Sequence, residues 1–358
     1  MDSSALINMT SGVGAVVAAL FALLVLAKKK KNLPDWILFF WFIVFSAHLF
    51  CGLGRSAYPS IKTFEVFVMS IGFLHGPFFL LYTKSFTRKS LGWPDSLHFL
   101  PFVIFLVCGF FIQNDFQIRW QIIVLIPKII SLAAYPAYVY HQQAKRVAYW
   151  ENNHSDSTLL ALRWIKMIAL LFLLSIGVGV IRLTVELATG VAYFELWDVL
   201  RYVLLLTAMG FFGLQYGMMY QPEYIPGTVR EEGMYKHSPL KPDEIEKYAH
   251  IIQHYIQDKE PFLDPNFSLT ALSEATGIRK HHLSQIISSK MNTSFYNLIN
   301  SKRVAHALGK LKREDITNLT FEGLGYESGF NTKSSFYYNF KKVTGKTPMQ
   351  YVKEISGS

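Results

Sequence analysis

Several polar and basic side chains near the C-terminal end of the chain are spaced to share one face of a short helix. The segment 320–342 is typical of two short helices joined by a turn at Gly329, where a positive φ costs glycine little. Thr320 can cap the first helix. Phe336 and Phe340 are one turn apart and share the face that the second helix would bury. The side chains left to face outward are Lys333, Ser334, Tyr337, Tyr338 and Lys341. A short helix with hydrogen-bonding and cationic groups, held at an angle by a glycine turn, suits the major groove of DNA.

The same pattern occurs a second time upstream. Gly277 lies 52 positions before Gly329, and the capping and apolar positions around it keep that offset. Beyond the turn the offset is 53, so the second turn is one residue longer than the first. Two tandem helix-turn-helix units, at about 268–289 and 320–342, are a much rarer pattern than one.

Residues from about 235 to 351, the last third of the chain, resemble the DNA-binding domain of the AraC/XylS transcription regulators. The stretches that carry the resemblance are Tyr235–Leu240, Leu283–Gln285, Phe295–Asn300, Arg303, Gly329–Asn331, Ser334–Phe336, Phe340–Lys342 and Gly345–Pro348. The resemblance implies a domain that binds double-stranded DNA. Gly323 and Gly325 depart from it, because family members usually carry alanine there. Glycine inside a helix costs about 0.5–1 kcal/mol relative to alanine, so we expect this helix to be soft.

The second helix of each unit supplies the candidate DNA contacts. Gln can pair with adenine and Lys with guanine. The candidate base contacts are His281, His282 and Gln285 in the first unit and Lys333, Ser334 and Tyr337 in the second. The candidate phosphate contacts are Lys280, Lys290, Arg303, Lys341, Lys342 and Lys346. From 265 to 353 the chain carries 13 basic and five acidic residues, which favours salt-dependent phosphate binding. The alternative is that several of these residues are solvated surface charges.

The chain before residue 221 has a different composition. Overall the chain is 51% hydrophobic and 17% charged, with a net charge of +10, and its apolar excess lies almost entirely in this part. Seven apolar stretches are near the length of about 20 residues that crosses a bilayer. They lie at about 12–27, 36–53, 64–82, 98–113, 121–140, 164–186 and 197–219. Cys51 and Cys108 fall inside apolar runs, which indicates buried free thiols rather than a disulfide framework or a metal site.

Basic residues in the short loops predict the orientation of these spans. The first apolar run is followed by four lysines, whereas a secretory signal carries its positive charge first. With the N-terminus outside, the inner loops carry ten Lys and Arg residues and the outer loops three, as the positive-inside rule requires. Seven spans then place everything after Gln221 in the cytoplasm. We therefore expect a multi-pass protein of the bacterial inner membrane, with its C-terminal domain in the cytoplasm.

Ionisable side chains inside membrane spans are costly and point to function by default. The candidates for a ligand pocket are His48, His75, Lys128, Arg182, Glu186 and Arg201. All but His75 fall toward the outer half of their spans, which indicates a net-positive chamber that opens outward and suits a small, anionic ligand. The alternative is an internal network, such as Arg182 paired with Glu186 one helix turn away.

The sequence thus predicts an all-α protein with a seven-helix transmembrane bundle at 1–220 and a soluble, two-unit helix-turn-helix domain at 243–358. The linker at 221–242 is rich in proline and glycine. A helix from Asp243 to about Gln257 carries an apolar stripe that packs against the domain or forms a dimer contact. A longer helix from Phe295 to Leu311 joins the two units.

These features favour a membrane-embedded one-component regulator of transcription. It would bind DNA through its C-terminal domain, sense a small or lipid-borne effector through its spans in the lipid bilayer, and be a homodimer when active. The alternative is a transporter or membrane enzyme with a DNA-binding tail, and a third is a regulator freed by proteolysis in the linker. Residues 1–220 carry no recognisable metal-ligand cluster, phosphate loop or nucleophile motif, so we expect no enzyme activity and no cofactor.

Overall fold

The structure is a computed structural model that describes residues 3–86, 90–111, 117–155, 158–191, 193–219, 242–313 and 320–356. Regular structure in these ranges is helical, apart from an isolated antiparallel bridge between His154 and Ser268. The all-α fold class is therefore confirmed. The chain divides into two compact units, the first formed by 1–143 with 164–227 and the second by 144–163 with 228–358. The second unit thus includes a segment that lies, in the sequence, between two apolar stretches.

The apolar half of the chain forms helices at the predicted positions. The long ones are α1 (Ser3–Leu26), α2 (Leu33–Ala57), α3 (Lys62–Ser85), α6 (Gln117–Asn153), α7 (Thr158–Thr189) and α8 (Trp197–Met219). Between α3 and α6 lie the short α4 (Trp93–Ser96) and α5 (Leu100–Phe111). Among the described residues, six helical stretches are long and apolar enough to cross a membrane, where the sequence predicted seven. The seventh predicted stretch is not one of these six, but it does form a helix, α8.

The first unit is held together by an aromatic core and leaves apolar side chains on its outside. Trp41 is fully buried and stacks with Phe45 and Phe172 at ring-centroid distances of 5.7 and 6.3 Å. Outward-facing apolar residues such as Phe50 and Ile181 are 60% and 66% exposed. Helices with apolar outer surfaces are what a lipid environment requires.

In the C-terminal part of the second compact unit, the described residues form seven α-helices, besides a 3₁₀ turn at Pro261–Leu263. They are α9 (Pro242–Lys259), α10 (Leu269–Thr276), α11 (Lys280–Ser289), α12 (Phe295–Arg313), α13 (Phe321–Glu327), α14 (Lys333–Thr344) and α15 (Pro348–Ser356). The two predicted helix-turn-helix units are α10–α11 and α13–α14. The predicted linker lies outside the described residues, except for Pro242, which begins α9.

Two apolar cores share the long helix α12. Its first half contributes Phe295 and Ile299 to a core with α9, α10 and α11. Its second half contributes Val304 to a core with α13 and α14 that contains Phe336 and Phe340. As predicted, α12 joins both helix-turn-helix units into one body.

Capping explains where the short helices begin and turn. The Ser268 and Thr320 side chains each accept a hydrogen bond from the backbone N–H three residues on, at 3.3 and 3.1 Å. Gly277 and Gly329 follow α10 and α13 with φ of +71° and +86°, the left-handed region that only glycine adopts readily. The Thr332 side chain caps α14, which begins at Lys333.

Candidate nucleic-acid interface and ligand cavity

The outer face of α14 carries the candidate base contacts of the second helix-turn-helix unit. Phe336 and Phe340 are fully buried on its inner face. Lys333, Tyr338 and Lys341 are exposed on the other side, and Ser334 and Tyr337 are half-buried. The ammonium of Lys333 lies 5.9 Å from the centre of the Tyr337 ring, within the range of a cation–π contact. The face therefore offers cationic, hydroxyl and aromatic groups together.

The corresponding face of α11 carries fewer of the predicted contacts. Gln285 is exposed and His281, one helix turn earlier, is half-buried, so both lie on the outer face. His282 lies at the edge of that face, and its ring stacks on Tyr248 of α9 at 6.4 Å. Burial, followed by the nearby His281 and Arg279, lowers the pKa of His282, which favours a neutral ring. These contacts make His282 a less favourable base contact than His281 or Gln285.

Five of the six candidate phosphate contacts lie at or near the surface. Lys290, Lys341, Lys342 and Lys346 are exposed, and Lys280 is half-buried. Three of the exposed ones already have partners within the second unit. Lys290 pairs with Glu246 at 3.4 Å, Lys342 donates to Asn297 Oδ1 at 2.7 Å, and Lys346 pairs with Glu354. Such exposed contacts are weak and can be exchanged for a phosphate.

The structure contradicts the prediction that Arg303 contacts a DNA phosphate. Its side chain is 1% exposed, and its guanidinium donates to backbone carbonyls: Nε to Phe262 at 2.7 Å, Nη2 to Asp264 at 2.7 Å and Nη1 to Ser155 at 2.9 Å. It also lies over the Phe330 ring. A guanidinium held in this way is not available to a DNA phosphate. The prediction is wrong for Arg303, which is a structural residue of the second unit.

A buried hydrogen bond that sequence reasoning missed positions α14. The Asn339 Nδ2 atom donates to the Tyr296 hydroxyl of α12 at 2.9 Å and to the Ser335 carbonyl, also at 2.9 Å. Burial raises the pKa of Tyr296 to about 12, so the phenol stays protonated. Asn339 lies on the buried face of α14 beside two phenylalanines, and an amide at such a position was the available signal.

The first unit contains a cavity of about 640 Å³. Five of the six candidate pocket residues line it: His48, Lys128, Arg182, Glu186 and Arg201. The sixth, His75, is not among the lining residues and is fully buried. Sequence reasoning missed Glu195 and Asp198, which also line the cavity together with Arg55. Its charged lining therefore comprises four basic and three acidic side chains, besides His48.

His75 lies behind His48 in a buried chain of hydrogen bonds. The Trp41 indole Nε1 donates to His75 Nδ1 at 3.2 Å, and His75 Nε2 lies 2.8 Å from His48 Nδ1. A neutral His75 that accepts at Nδ1 carries its hydrogen on Nε2, so it donates to His48. His75 thereby fixes the orientation of a ring that lines the cavity.

The arginines of the cavity are partly paired with carboxylates. Arg182 donates to Glu186 at 2.9 Å, as the internal-network alternative expected, and also pairs with Asp198 at 2.9 Å. Arg201 lies 3.9 Å from Asp198. The Nε atoms of Arg182 and Arg201 are buried, and neither has a hydrogen-bond partner in the described part of the chain. The cavity thus combines an ion-pair network with donor groups that could serve a bound acceptor.

Two glycine-turn units that share a central helix define a helix-turn-helix DNA-binding domain. A family model described as "Helix-turn-helix domain" matches residues 272–354. Uncharacterised HTH-type transcriptional regulators of Staphylococcus aureus, from strains COL and MSSA476, are each 28% identical to this chain over 135 residues. The match covers 37% of this chain but 16% of each relative. No solved structure matches the chain significantly. The C-terminal region is a helix-turn-helix domain of the AraC type, as its motifs predicted.

Proposed function

We propose that this protein is a membrane-embedded one-component regulator of transcription. The observation that carries the proposal is that one chain joins long apolar helices around a charged cavity to an AraC-type helix-turn-helix domain. A regulator built this way needs no separate messenger between the membrane and the DNA.

The DNA-binding part of the proposal rests on the exposed faces of α11 and α14. His281 and Gln285 would read bases in one major groove, and Lys333, Ser334 and Tyr337 in the next, since successive grooves on one face lie about 34 Å apart. The exposed lysines near these helices would bind phosphates and make the affinity fall steeply with salt.

The sensing part of the proposal rests on the cavity of the first unit. A small anionic or carboxylate-bearing effector would accept hydrogen bonds from Arg182 and Arg201, whose Nε atoms have no partner in the described part of the chain. Its charge would be offset by a lining with one more basic than acidic side chain. Because Arg182 bridges Glu186 on α7 and Asp198 on α8, an anion that recruits Arg182 would loosen the contact between these helices. A ligand of this kind would shift the population between two arrangements of α7 and α8.

The basic loops favour an inner-membrane location with the N-terminus outside and the DNA-binding domain in the cytoplasm. The active form would be a homodimer that contacts DNA through two C-terminal domains. The rival function, a transporter with a regulatory tail, predicts solute uptake into vesicles that contain the purified protein, whereas a regulator predicts none.

The experiment that tests the proposal compares transcripts in cells that lack the protein and cells that carry it as wild type or as Arg182→Ala. We expect a defined set of genes to depend on the wild type and to lose its regulation in the variant. Lys166→Ala is the matched control, since it removes one positive charge from the same helix without touching the cavity. Normal regulation by Arg182→Ala at normal abundance would exclude the sensing pocket, and the absence of any dependent gene would exclude the regulator.

A further inference from the structure

The second unit includes residues 144–163, which lie in the sequence between two apolar stretches and which we call the docking segment. Its described residues are the end of α6, His154 and Ser155, and the start of α7. Because α6 and α7 also contribute Lys128 and Arg182 to the cavity, the docking segment is continuous in the chain with cavity-lining helices.

The docking segment is anchored through Ser155, which is 1% exposed. The Ser155 hydroxyl donates to the Phe267 carbonyl at 2.8 Å. The Ser155 carbonyl accepts from Arg303 Nη1 at 2.9 Å and from Asn300 Nδ2 at 3.1 Å. The neighbouring His154 forms the antiparallel bridge with Ser268, the cap of α10. Buried donors of α12 are therefore satisfied by a backbone carbonyl from a distant part of the chain.

A second contact reaches α14. Arg163 Nη1 donates to the Tyr338 hydroxyl at 3.0 Å, and Arg163 Nη2 donates to Glu151 at 3.1 Å. Tyr338 lies one helix turn after Ser334, on the flank of the face that carries the candidate base contacts. Lys342 of the same flank has its pKa lowered, first by burial and then by Arg163, and raised by Glu151. Docking thus places an arginine and a carboxylate beside the flank where a DNA strand would run.

We propose that the docking segment holds the DNA-binding helices in a closed state, and that duplex DNA and the docking segment compete for the Tyr338 flank of α14. The proposal rests on the DNA binding proposed above. In the open state, Arg163 and Glu151 leave this flank and phosphates take their place. An effector in the cavity would then act on α14 through α6 and α7, in addition to any route through the linker.

A disulfide at the anchor tests the proposal directly. Residues paired in an antiparallel bridge have Cα atoms about 4.5–5.5 Å apart, within the range of about 4.4–6.8 Å that a disulfide spans. The variant carries His154→Cys and Ser268→Cys in full-length protein, with Cys51→Ala and Cys108→Ala, in lipid nanodiscs. We expect ready oxidation of the pair. The two single-cysteine proteins are the controls for cross-linking and for the effect of each substitution on DNA binding.

The readout is binding of a fluorescent duplex that the wild-type full-length protein selects from a random pool. We expect the oxidised double variant to bind it at least about tenfold more weakly than the same sample after reduction, because the closed state cannot open. Unchanged affinity after complete oxidation would overturn the competition, and a pair that fails to oxidise would overturn the docking. If the wild type selects no duplex, the proposed function fails, while the yield of the disulfide still decides the docking.

A substitution with opposite expectations gives an independent check. Arg163→Ala removes a positive charge, so a direct role of Arg163 in holding DNA predicts weaker binding. Loss of the contact with Tyr338 instead predicts binding that is tighter by about two- to tenfold, as expected for one hydrogen bond. Lys145→Ala is the charge-matched control, since Lys145 is an exposed residue of the same segment. Weaker or equal binding by Arg163→Ala relative to Lys145→Ala would contradict the proposal.

Discussion

A β-carbon placed on Gly329 would lie 2.2 Å from the carbonyl oxygen of Phe262 and 2.9 Å from Leu263 Cα. The turn between α13 and α14 therefore packs against the backbone that follows α9. Gly277 has the same place in the first helix-turn-helix unit and also has a positive φ. No atom of the described residues, apart from its own chain neighbours, lies within 4 Å of such a β-carbon there. The two turns share a conformation and differ in their surroundings.

This difference predicts unequal effects of alanine. Gly277→Ala should destabilise its unit by about 1–2 kcal/mol, the cost of a left-handed conformation with a β-carbon. Gly329→Ala should cost distinctly more, because the methyl group meets backbone atoms that cannot rotate away. Hydrogen exchange in the full-length protein measures the changes, at the α10 and α11 amides for Gly277→Ala and at the α13 and α14 amides for Gly329→Ala. Equal losses of protection in the two helix-turn-helix units would show that the contact with Phe262 has no energetic role.

Arg303 predicts a large loss of stability. Arg303→Met keeps much of the apolar volume but leaves the Phe262, Asp264 and Ser155 carbonyls without this donor. The Phe262 carbonyl is then left unpaired, which costs about 1–3 kcal/mol. The Ser155 and Asp264 carbonyls keep a second donor, Asn300 Nδ2 at 3.1 Å and the Phe267 N–H at 3.1 Å, but each loses a hydrogen bond to a charged group, worth about 1.5–3 kcal/mol. We therefore expect a loss of about 3 kcal/mol or more. The exposed neighbour Lys302 is the control, and Lys302→Met should change stability little. Exchange rates of the α12 amides report both effects, and a near-neutral Arg303→Met would contradict the buried role.

Sequence reasoning found the helix-turn-helix units because their signals are local. The spacing of Phe336 and Phe340, the caps at Ser268 and Thr320 and the turn glycines each act within a few residues. The cap hydrogen bonds and positive φ angles appear in the structure as expected. The long apolar helices were found for the same reason, since length and composition alone define them.

The role of Arg303 could not be predicted from local sequence signals. A surface phosphate contact and a buried structural arginine look alike in one sequence, and the carbonyl that decides between them belongs to Ser155, 148 positions earlier. Asp198 was missed because it lies at the start of α8 and meets Arg182 only after α7 and α8 pack. The reason for glycine at position 325 also depends on a contact between helices, because a β-carbon there would lie 3.0 Å from Phe336 Cγ. The close approach of two helices gives a reason for glycine where the family usually has alanine.

Tyr296 predicts a mild effect on α14. Tyr296→Phe removes the hydroxyl that accepts from Asn339, while Asn339 keeps its bond to the Ser335 carbonyl. We expect a loss of about 0.5–1.5 kcal/mol and a moderate loss of DNA affinity through α14. Exchange at the α14 amides and duplex binding measure the two effects. A loss of stability as large as that of Arg303→Met would show that the Asn339 side-chain amide has no second hydrogen-bond partner in solution.

The lysines predict the salt dependence of DNA binding. Lys341 is exposed on α14, so Lys341→Ala should lower the slope of log affinity against log salt by about 0.9, one phosphate contact. Lys346 pairs with Glu354, and binding a phosphate would require this pair to open. Lys346→Ala should therefore change the slope less. Titrations of one duplex at several salt concentrations provide the comparison, and an unchanged slope for Lys341→Ala would remove it from the phosphate contacts.

The central claim is that a chain retained in the membrane itself binds the chromosome. The most direct measurement cross-links DNA to C-terminally tagged protein in living cells, isolates the membrane fraction and sequences the DNA that co-purifies with the full-length chain. We expect discrete chromosomal sites, with lower occupancy in Lys341→Ala at equal abundance. Recovery of DNA solely with a shorter, soluble fragment, or a membrane fraction enriched in no site, would contradict the account.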